Sequence, residues 1–251
     1  MNKSPYIVPD WPLPPHIQAY STLRQCGFSE SPYDSFNLAA HVDDNPEHVQ
    51  KNRDHLKALL HLPTEPIWIQ QTHSTIASVA VPENRGKEAD ATFTNQPNQV
   101  CIVLTADCLP ILLCDHKGTK VSAIHAGWRG LFNGIIAETL KKMDCKKTEI
   151  LAWLGPAIGP TAYEVGNEIR DIFMQSDTLS HSAFTPSKNG RWMCNLYAIA
   201  RIQLQKQGIH SIYGGTHCTY SDAHNFFSYR RDGIKTGRMA TLIWINDPIT
   251  G

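Results

Sequence analysis

The chain has 251 residues, with 23 basic residues (Lys and Arg) against 23 acidic ones, so its formal net charge is zero. Hydrophobic residues make up 41% and charged residues 18%, which is typical of a globular protein and excludes a disordered or collagen-like chain. The zero net charge argues against a nucleic-acid partner, because nucleic-acid-binding proteins generally carry excess basic charge.

The first part of the chain alternates between strand and helix patterns. Residues 1–15 are a proline-rich lead-in, and the alternation of residues 17–23 predicts a half-buried strand. Asn45 and Pro46 resemble an N-cap and a first helical residue, which predicts a helix that ends near Leu60. Further strands are predicted at residues 67–69, 75–81, 100–105, 111–114 and 120–125.

In the second part of the chain, the apolar spacing of residues 130–143 predicts one helix. A strand at 150–154 and a helix at 164–174 follow, then a helix capped by Asn195 and ended by Gly208. Strands near Ile212 and at 241–245 complete the pattern. Several strand runs are apolar on both faces, which indicates a sheet covered on both sides. Because no linker or repeat divides the sequence, we expect a single mixed α/β domain over residues 1–251.

The cysteines lie at positions 26, 101, 108, 114, 145, 194 and 218, an odd number without any Cys-x-x-Cys pair. They favour a reducing compartment over a disulfide framework or a zinc finger. The N-terminal residues lack the apolar stretch of a signal peptide, and no apolar run approaches the roughly 18–20 residues that span a bilayer. We therefore expect a cytoplasmic protein without a membrane partner.

Three polar segments, at 71–74, 105–110 and 125–130, follow apolar runs, and loops at strand ends are where scaffolds present functional groups. They contain His73, Cys108 and His125. Two imidazoles and a thiolate suit zinc, and three protein ligands leave a fourth position open, as in catalytic zinc sites. A lone cysteine after a strand is, however, more often a buried apolar side chain, and the spacing matches no local ligand pattern. The residues alone leave both interpretations open.

Other segments are candidates for ligand binding. Gly127 and Gly130 precede the predicted helix, where backbone amides and Arg129 suit a phosphate, although a tight turn with a surface ion pair explains them equally well. The aromatic and basic stretch at 226–233 suits base stacking, but a core strand leading into a salt-bridged turn is favoured. Arg24 and Asn37 flank a turn-rich loop from which they can reach a ligand.

Together these segments resemble the YfiH/YlmD family, also called the multicopper polyphenol oxidase or laccase-domain family, which includes the peptidoglycan editing factor. The similarity runs from about Thr22 to Trp244. Its motifs are Leu-Arg-x-x-Gly-Phe-Ser near 23–29, Pro-Tyr-Asp-Ser-Phe-Asn-Leu at 32–38, Gln-x-His-Ser at 71–74, Thr-Ala-Asp-Cys-Leu-Pro at 105–110, His-Ala-Gly-Trp-Arg-Gly at 125–130, Trp-Leu-Gly-Pro-x-Ile-Gly-Pro at 153–160, Tyr-Glu-Val-Gly at 163–166, and Phe-Phe-Ser-Tyr-Arg-Arg-Asp-Gly with Thr-Gly-Arg at 226–238. Two positions depart from the family, since Cys26 and Asp43 stand where many members have glycine.

The resemblance implies a single-domain α/β/β/α sandwich and places the family's metal ligands on His73, Cys108 and His125. It implies zinc-dependent phosphorolysis of adenosine, inosine, guanosine and methylthioadenosine, and deamination of adenosine. Purine nucleosides and phosphate would be the partners of a chain that we expect to be a monomer.

In this interpretation the three metal ligands are the catalytic residues, and Asp107 is the candidate proton shuttle. Arg24, Asn37, Gly127 and Arg129 are the candidate substrate-binding residues. The main alternative is a metal-free Cys108–His125 dyad that hydrolyses peptidoglycan precursors. A non-enzymatic module with a structural zinc is a second alternative. A copper-dependent polyphenol oxidase is disfavoured, because laccase chemistry needs several coppers and we identify one ligand cluster.

Overall fold

The computed structural model describes residues 4–247, which form thirteen strands and six α-helices. The strands are β1 (Tyr6–Ile7), β2 (Ile17–Thr22), β3 (Ala77–Val79), β4 (Ala91–Thr94), β5 (Cys101–Thr105), β6 (Leu109–Asp115), β7 (Val121–Ala126), β8 (Ile150–Leu154), β9 (Glu164–Val165), β10 (Phe184–Pro186), β11 (Trp192–Cys194), β12 (Ser211–Gly214) and β13 (Met239–Ile245). The helices are α1 (Pro46–Leu59), α2 (Trp128–Asn133), α3 (Ile135–Met143), α4 (Asn167–Ser176), α5 (Leu196–Lys206) and α6 (Tyr229–Asp232).

Two sheets form the centre of the molecule. The smaller sheet has the strand order β1-β2-β13-β5 and is antiparallel throughout. The larger sheet has the order β12-β8-β6-β7-β4-β3, in which only the outer pairs β12–β8 and β3–β4 are parallel. A third sheet, β10-β11-β9, is small and separate from both. The antiparallel β6–β7 hairpin therefore lies at the middle of the larger sheet, with Pro110 opposite His125.

The two central sheets pack face to face, and helices cover their outer faces. Val103 of β5 and Leu112 of β6 belong to the apolar cluster between the sheets. Ile102 points the other way and packs with Leu56 of α1, while α3 and α5 cover the outer face of the larger sheet. Alternate residues of β5 thus face two different cores, because successive side chains of a strand point to opposite faces. The predicted α/β/β/α sandwich and its doubly covered sheet are confirmed.

Most predicted elements are present, with ends shifted by a few residues. The helix predicted after Asn45 is α1, whose N-cap side chain accepts a hydrogen bond from the amide of Glu47 at 2.9 Å, with Pro46 in the first turn. Asn195 caps α5 in the same way, and Gly208 follows this helix with a φ of 85°. Strands β2, β5, β6, β7, β8, β12 and β13 correspond to predicted runs.

Two predicted helices are wrong in extent. The helix over residues 130–143 is two helices, α2 and α3, which meet at Gly134 with a φ of 92°. Glycine adopts this left-handed conformation without a steric penalty, and the apolar spacing continues across the break. Residues 164–174 begin as strand β9, since Val165 pairs with Trp192 of β11, and α4 starts only at Asn167. Here pairing with a distant strand overrides the local helical pattern.

Other corrections concern strands. Residues 67–69 join no ladder, the strand predicted at 75–81 shrinks to β3, and β4 had no predicted counterpart. Within the lead-in, β1 pairs with the end of β2, whereas residues 1–3 lie outside the described part of the chain. No helix within residues 4–247 is long and apolar enough to cross a membrane.

Candidate active site

The three predicted metal ligands meet at one end of the β6–β7 hairpin. Cys108 directly precedes β6, His125 is the next-to-last residue of strand β7, and His73 is on the loop before β3. Their ligand atoms all lie within 4.8 Å of one another. Cys108 Sγ is 3.7 Å from His73 Nε2, and the two imidazole centroids are 4.9 Å apart. Residues remote in sequence are thus gathered by the sheet into one cluster.

A buried carboxylate, Asp90, holds both histidines of this cluster. Its Oδ1 accepts hydrogen bonds from His125 Nδ1 at 2.6 Å and from the His73 amide at 3.1 Å. Its Oδ2 accepts from the amides of Thr72 and Ser74 and from the Ser74 hydroxyl. The first contact leaves His125 Nε2 available to a metal, and the others stabilise His73 at its left-handed φ of 62°.

Asp90 was not singled out from the sequence, although one signal was present. It is an acidic residue directly before the buried strand β4, and it is fully buried. A buried carboxylate at a strand end needs hydrogen-bond donors around it, and these donors are supplied by the loop that carries His73. The partner loop could not be identified from the sequence because β4 itself was missed.

The electrostatics of the cluster favour a thiolate. Burial opposes ionisation of Cys108, but the charge and hydrogen bonds of His125 and His73 outweigh it and lower the pKa of the thiol to about 6. Burial likewise disfavours the charged imidazole, but Cys108 and Asp90 raise the pKa of His125 to about 9. Cysteine binds metals as the thiolate. When a metal cation is bound, it takes the place of the imidazole proton as the positive charge that balances the thiolate.

Gly127 lines the cluster at a position where no side chain fits. A Cβ atom there would lie 2.9 Å from His73 Cδ2 and 3.0 Å from Cys108 Sγ. This close approach explains the glycine without a phosphate contact. The helix that follows it, α2, has only six residues and therefore gives little support to a phosphate site at its start. Two imidazoles, one thiolate and a cradle without a side chain fit a metal ion of borderline softness.

A cavity of about 460 Å³ opens beside the cluster, a size typical of small-molecule sites. Its walls combine aromatic and apolar side chains with arginines. The lining residues are His41, Gln71, His73, Leu104, Thr105, Ala106, Asp107, Cys108, His125, Trp128, Arg129, Ile158, Tyr163, Tyr229, Arg230 and Arg238.

Asp107 joins several segments of the cavity wall. Its Oδ1 accepts a hydrogen bond from Thr219 Oγ1 at 2.6 Å, and its Oδ2 accepts one from the Arg230 amide at 2.7 Å. Its backbone carbonyl accepts from the Ile158 amide at 2.9 Å. The residue has a φ of 91°, immediately before Cys108. Both carboxylate oxygens are therefore already engaged by the protein.

The predicted substrate-binding residues separate into two groups. Gly127 is at the metal cluster and Arg129 lines the cavity, where its guanidinium lies 4.6 Å from the Trp128 ring centroid. Within residues 4–247 no carboxylate forms an ion pair with Arg129, so the surface ion pair considered as the alternative to a phosphate contact is absent from that part of the chain.

The structure does not bring Arg24 and Asn37 into the cavity. Arg24 pairs with Asp34 and donates to the Ala223 carbonyl, beside a different cavity. Asn37 is fully buried, and its side-chain oxygen accepts hydrogen bonds from the amides of Ala39 and Arg238. Both side chains hold loops in place. A position beside a turn-rich segment fits this role as well as ligand binding, so the sequence did not distinguish the two.

The segment 226–233 is a core anchor followed by part of the cavity wall. Phe226 and Phe227 are buried, but they form no strand, and Ser228 caps the short helix α6. The predicted ion-paired turn is present as Arg231 with Asp232. The two residues in between, 229 and 230, line the cavity.

The two departures from the family keep a glycine-like backbone. Cys26 has a φ of 70° and Asp43 a φ of 63°, in the left-handed region that glycine adopts most readily. Neither residue lines the cavity. The substitutions therefore change side chains outside the cavity without changing the backbone conformation expected there.

Four further residues line the cavity without a role predicted from the sequence: His41, Gln71, Tyr163 and Arg238. Three of them lie within the motifs that carry the family resemblance, which was the available signal. The Gln71 side chain binds the backbone of β5. Its Nε2 donates to the Leu104 carbonyl and its Oε1 accepts from the Leu104 amide, both at 2.8 Å.

Comparison with known proteins agrees with this architecture. Residues 18–246 match the family described as multi-copper polyphenol oxidoreductase laccase. A Shigella flexneri protein named purine nucleoside phosphorylase YfiH is 47% identical over 243 residues, which cover 96% of this chain and 99% of that relative.

Two solved structures have the same fold. The crystal structure of a Neisseria meningitidis protein superposes with a TM-score of 0.92 at 42% identity, covering 97% of this chain and all of that one. The crystal structure of a Bacillus licheniformis protein, YfiH, superposes with a TM-score of 0.91 at 28% identity and covers 98% of both chains. The chain therefore belongs to the multi-copper polyphenol oxidoreductase laccase family, the YfiH family that its motifs resemble.

Proposed function

We propose that this chain is a zinc-dependent purine nucleoside phosphorylase and that the same site deaminates adenosine. The observation that carries the proposal is the His73–Cys108–His125 cluster in the wall of a cavity large enough for a nucleoside. The name of the Shigella flexneri relative supports the substrate class. The mixture of aromatic and cationic side chains suits a ligand that has both a flat base and an anionic co-substrate.

His73, Cys108 and His125 would hold the zinc. When bound, zinc acts as a Lewis acid and lowers the pKa of a water that it binds. Asp90 orients both histidines and keeps Nδ1 of His125 protonated, so that Nε2 remains the free ligand atom.

In phosphorolysis, an oxygen of phosphate forms a bond to C1′ of the ribose while the bond between C1′ and the purine nitrogen breaks. The electron pair of that bond leaves with the purine, which takes up a proton, and the other product is ribose 1-phosphate. The protein holds the phosphate against C1′ and stacks the base, and the aromatic wall at Tyr163 and Tyr229 suits the second task. Arginines on the same wall suit the first task.

In deamination, water replaces the 6-amino group of adenosine, and ammonia and inosine are released. This reaction requires a proton transfer, for which Asp107 is the sequence-based candidate. Its two carboxylate oxygens already accept hydrogen bonds from Thr219 and the Arg230 amide. We therefore assign Asp107 a positioning role, in which it holds the Arg230 segment against the cluster.

A metal-free Cys108–His125 dyad is the second candidate, favoured by the lowered pKa of the Cys108 thiol. The two candidates respond oppositely to reagents. A zinc enzyme is inactivated by a chelator and restored by Zn²⁺, whereas a thiol nucleophile survives chelation and is inactivated by alkylation.

The experiment is elemental analysis of the purified protein, followed by adenosine, inosine, guanosine and methylthioadenosine with and without phosphate. We expect bound zinc, phosphate-dependent release of the base from each nucleoside, and phosphate-independent ammonia release from adenosine. Copper in place of zinc, together with oxidation of a phenol, would instead support an oxidase. Turnover of an amide substrate by metal-free protein would support the dyad.

A further inference from the structure

Three arginines line the cavity, and they differ in how their guanidinium groups are engaged. Arg129 is exposed and lies against the ring of Trp128. Arg230 is also exposed, and its Nη1 donates to the Glu164 carbonyl. Arg238 is half-buried, and its backbone amide is held by the side chain of Asn37. The Arg230 amide is held as well, by Asp107, so what distinguishes Arg238 among the three is its shielded side chain.

Within residues 4–247, the side-chain hydrogen bonds of Arg238 occupy only one of its three guanidinium nitrogens. Nη1 donates to the carbonyls of Thr236 at 2.7 Å and Gly237 at 3.0 Å. Nε and Nη2 donate to no acceptor within residues 4–247. These two nitrogens form the side of the guanidinium that binds two oxygens of a phosphate or carboxylate in parallel.

Arg231 provides a contrast seven residues away. Its Nη1 and Nη2 donate to the carbonyls of Thr219, Tyr220 and Phe226, and its Nε and Nη2 bind Asp232. A guanidinium with this many partners is a structural tie. Arg238 has no ion-pair partner in the described part of the chain, and the carboxylate in the cavity wall, Asp107, is engaged by Thr219 and the Arg230 amide.

We propose that the free Nε–Nη2 edge of Arg238 is the principal binding position for the phosphate co-substrate, in place of Arg129 and the helix start that follows Gly127. The inference rests on the proposed phosphorolysis. Water competes less for the hydrogen bonds between a half-buried guanidinium and an anion than for those of an exposed one. The anchored nitrogen of Arg238 also keeps the free edge oriented. Arg129 and Arg230, at the exposed part of the wall, contribute mainly to attracting the anion.

The test uses the zinc-loaded, full-length protein and inorganic phosphate as the probe. Initial rates are measured with phosphate varied at saturating inosine and with inosine varied at saturating phosphate. Arg238→Gln is expected to raise the KM for phosphate by about 10- to 100-fold and to change the KM for inosine by less than about threefold. Arg238→Lys keeps the charge but loses the paired donors, so its phosphate KM should lie between those of the wild type and Arg238→Gln.

Arg129→Gln is the competing variant, and Arg85→Gln is the matched control, because Arg85 is exposed and donates to the Glu65 carbonyl outside the cavity. An unchanged phosphate KM in Arg238→Gln, with a raised one in Arg129→Gln, overturns the inference while leaving phosphorolysis intact. Melting temperature and zinc content identify a variant that is misfolded, in which case Arg238→Lys decides.

Phosphate-induced stabilisation separates this inference from the proposed function. If the wild type cleaves no nucleoside, its thermal stabilisation by phosphate is compared with that of Arg238→Gln. Stabilisation of the wild type alone supports the phosphate site and rejects the phosphorylase. Equal stabilisation of both proteins, or of neither, rejects the site.

Discussion

The two ends of the β6–β7 hairpin each place a cysteine, a carboxylate and a glycine close together, yet within residues 4–247 only one of them gathers three side chains that could hold a metal. At the open end, Cys108 lies beside two imidazoles, and its thiol pKa is lowered to about 6. At the turn end, Cys114 is also buried, but burial and the nearby Asp115 raise the pKa of its thiol. Burial alone keeps a thiol neutral, and the adjacent histidines reverse this effect.

The carboxylates of the two ends differ in one contact. Asp115 accepts hydrogen bonds from the amides of Thr119 and Lys120 and from the Thr119 hydroxyl, which closes the hairpin turn. Asp90 binds a tight loop in a similar way but also accepts a hydrogen bond from His125. The same device stabilises a turn at one end and orients metal ligands at the other.

The largest difference is expected between substitutions of the two cysteines. Cys108→Ala removes a metal ligand, so bound zinc and phosphorolysis should both fall by more than about 100-fold. Cys114→Ala should keep both and lose about 1 kcal/mol of unfolding free energy for the small cavity that it leaves. Elemental analysis, initial rates and denaturant unfolding measure the three quantities. Retained zinc in Cys108→Ala would contradict the assignment of the ligands.

A second comparison substitutes the carboxylates. Asp90→Asn should weaken zinc binding by about 10- to 100-fold, because an amide cannot accept all the hydrogen bonds that orient the histidines. Asp115→Asn should lower the free energy of unfolding by about 1–3 kcal/mol and leave zinc affinity unchanged. Competition with a chromophoric chelator measures the affinities. Equal zinc affinity in the two variants would show that Asp90 serves the fold alone.

The smallest difference in zinc binding between the two ends is expected for the glycines. Gly127→Ala places a methyl group against His73 and Cys108 and should weaken zinc binding by about tenfold. Gly118→Ala, in the hairpin turn at a φ of 67°, should instead destabilise the fold by about 1–3 kcal/mol. The same chelator competition and unfolding measurements apply. If Gly127→Ala binds zinc like the wild type, the close approach at that position is relieved without moving the ligands.

The sequence predicted the strands of the hairpin and the three candidate ligands, but not the residues that position them. Strand β6 was evident from an apolar run and β7 was a strand candidate, and the family motifs singled out the three ligands. Asp90 and Arg238 were missed, because their roles depend on which loop or segment lies opposite them in three dimensions. The break at Gly134 and the early strand β9 were missed for the same reason, since local periodicity does not report pairing or kinks.

Arg24 and Asn37 are a different case, because the cavity beside the cluster does not include them. Both are polar residues beside a turn-rich loop, a position from which a side chain can serve either a ligand or the loop. Their contacts with Asp34 and Arg238 favour the loop role, and neither contact follows from local sequence. Polar residues beside a turn-rich loop are therefore weaker predictors of a site than reactive residues at strand ends.

We propose a catalytic zinc site at the open end of the hairpin, and metal removal is the decisive experiment for that claim. Protein as purified is analysed for metal and assayed for phosphate-dependent cleavage of inosine, then assayed again after chelation and after addition of Zn²⁺. We predict about one zinc per chain, loss of activity on chelation, recovery with Zn²⁺, and a fold that persists without metal because its apolar cores do not include the cluster. Full activity in metal-free protein, abolished only by thiol alkylation, would contradict the claim.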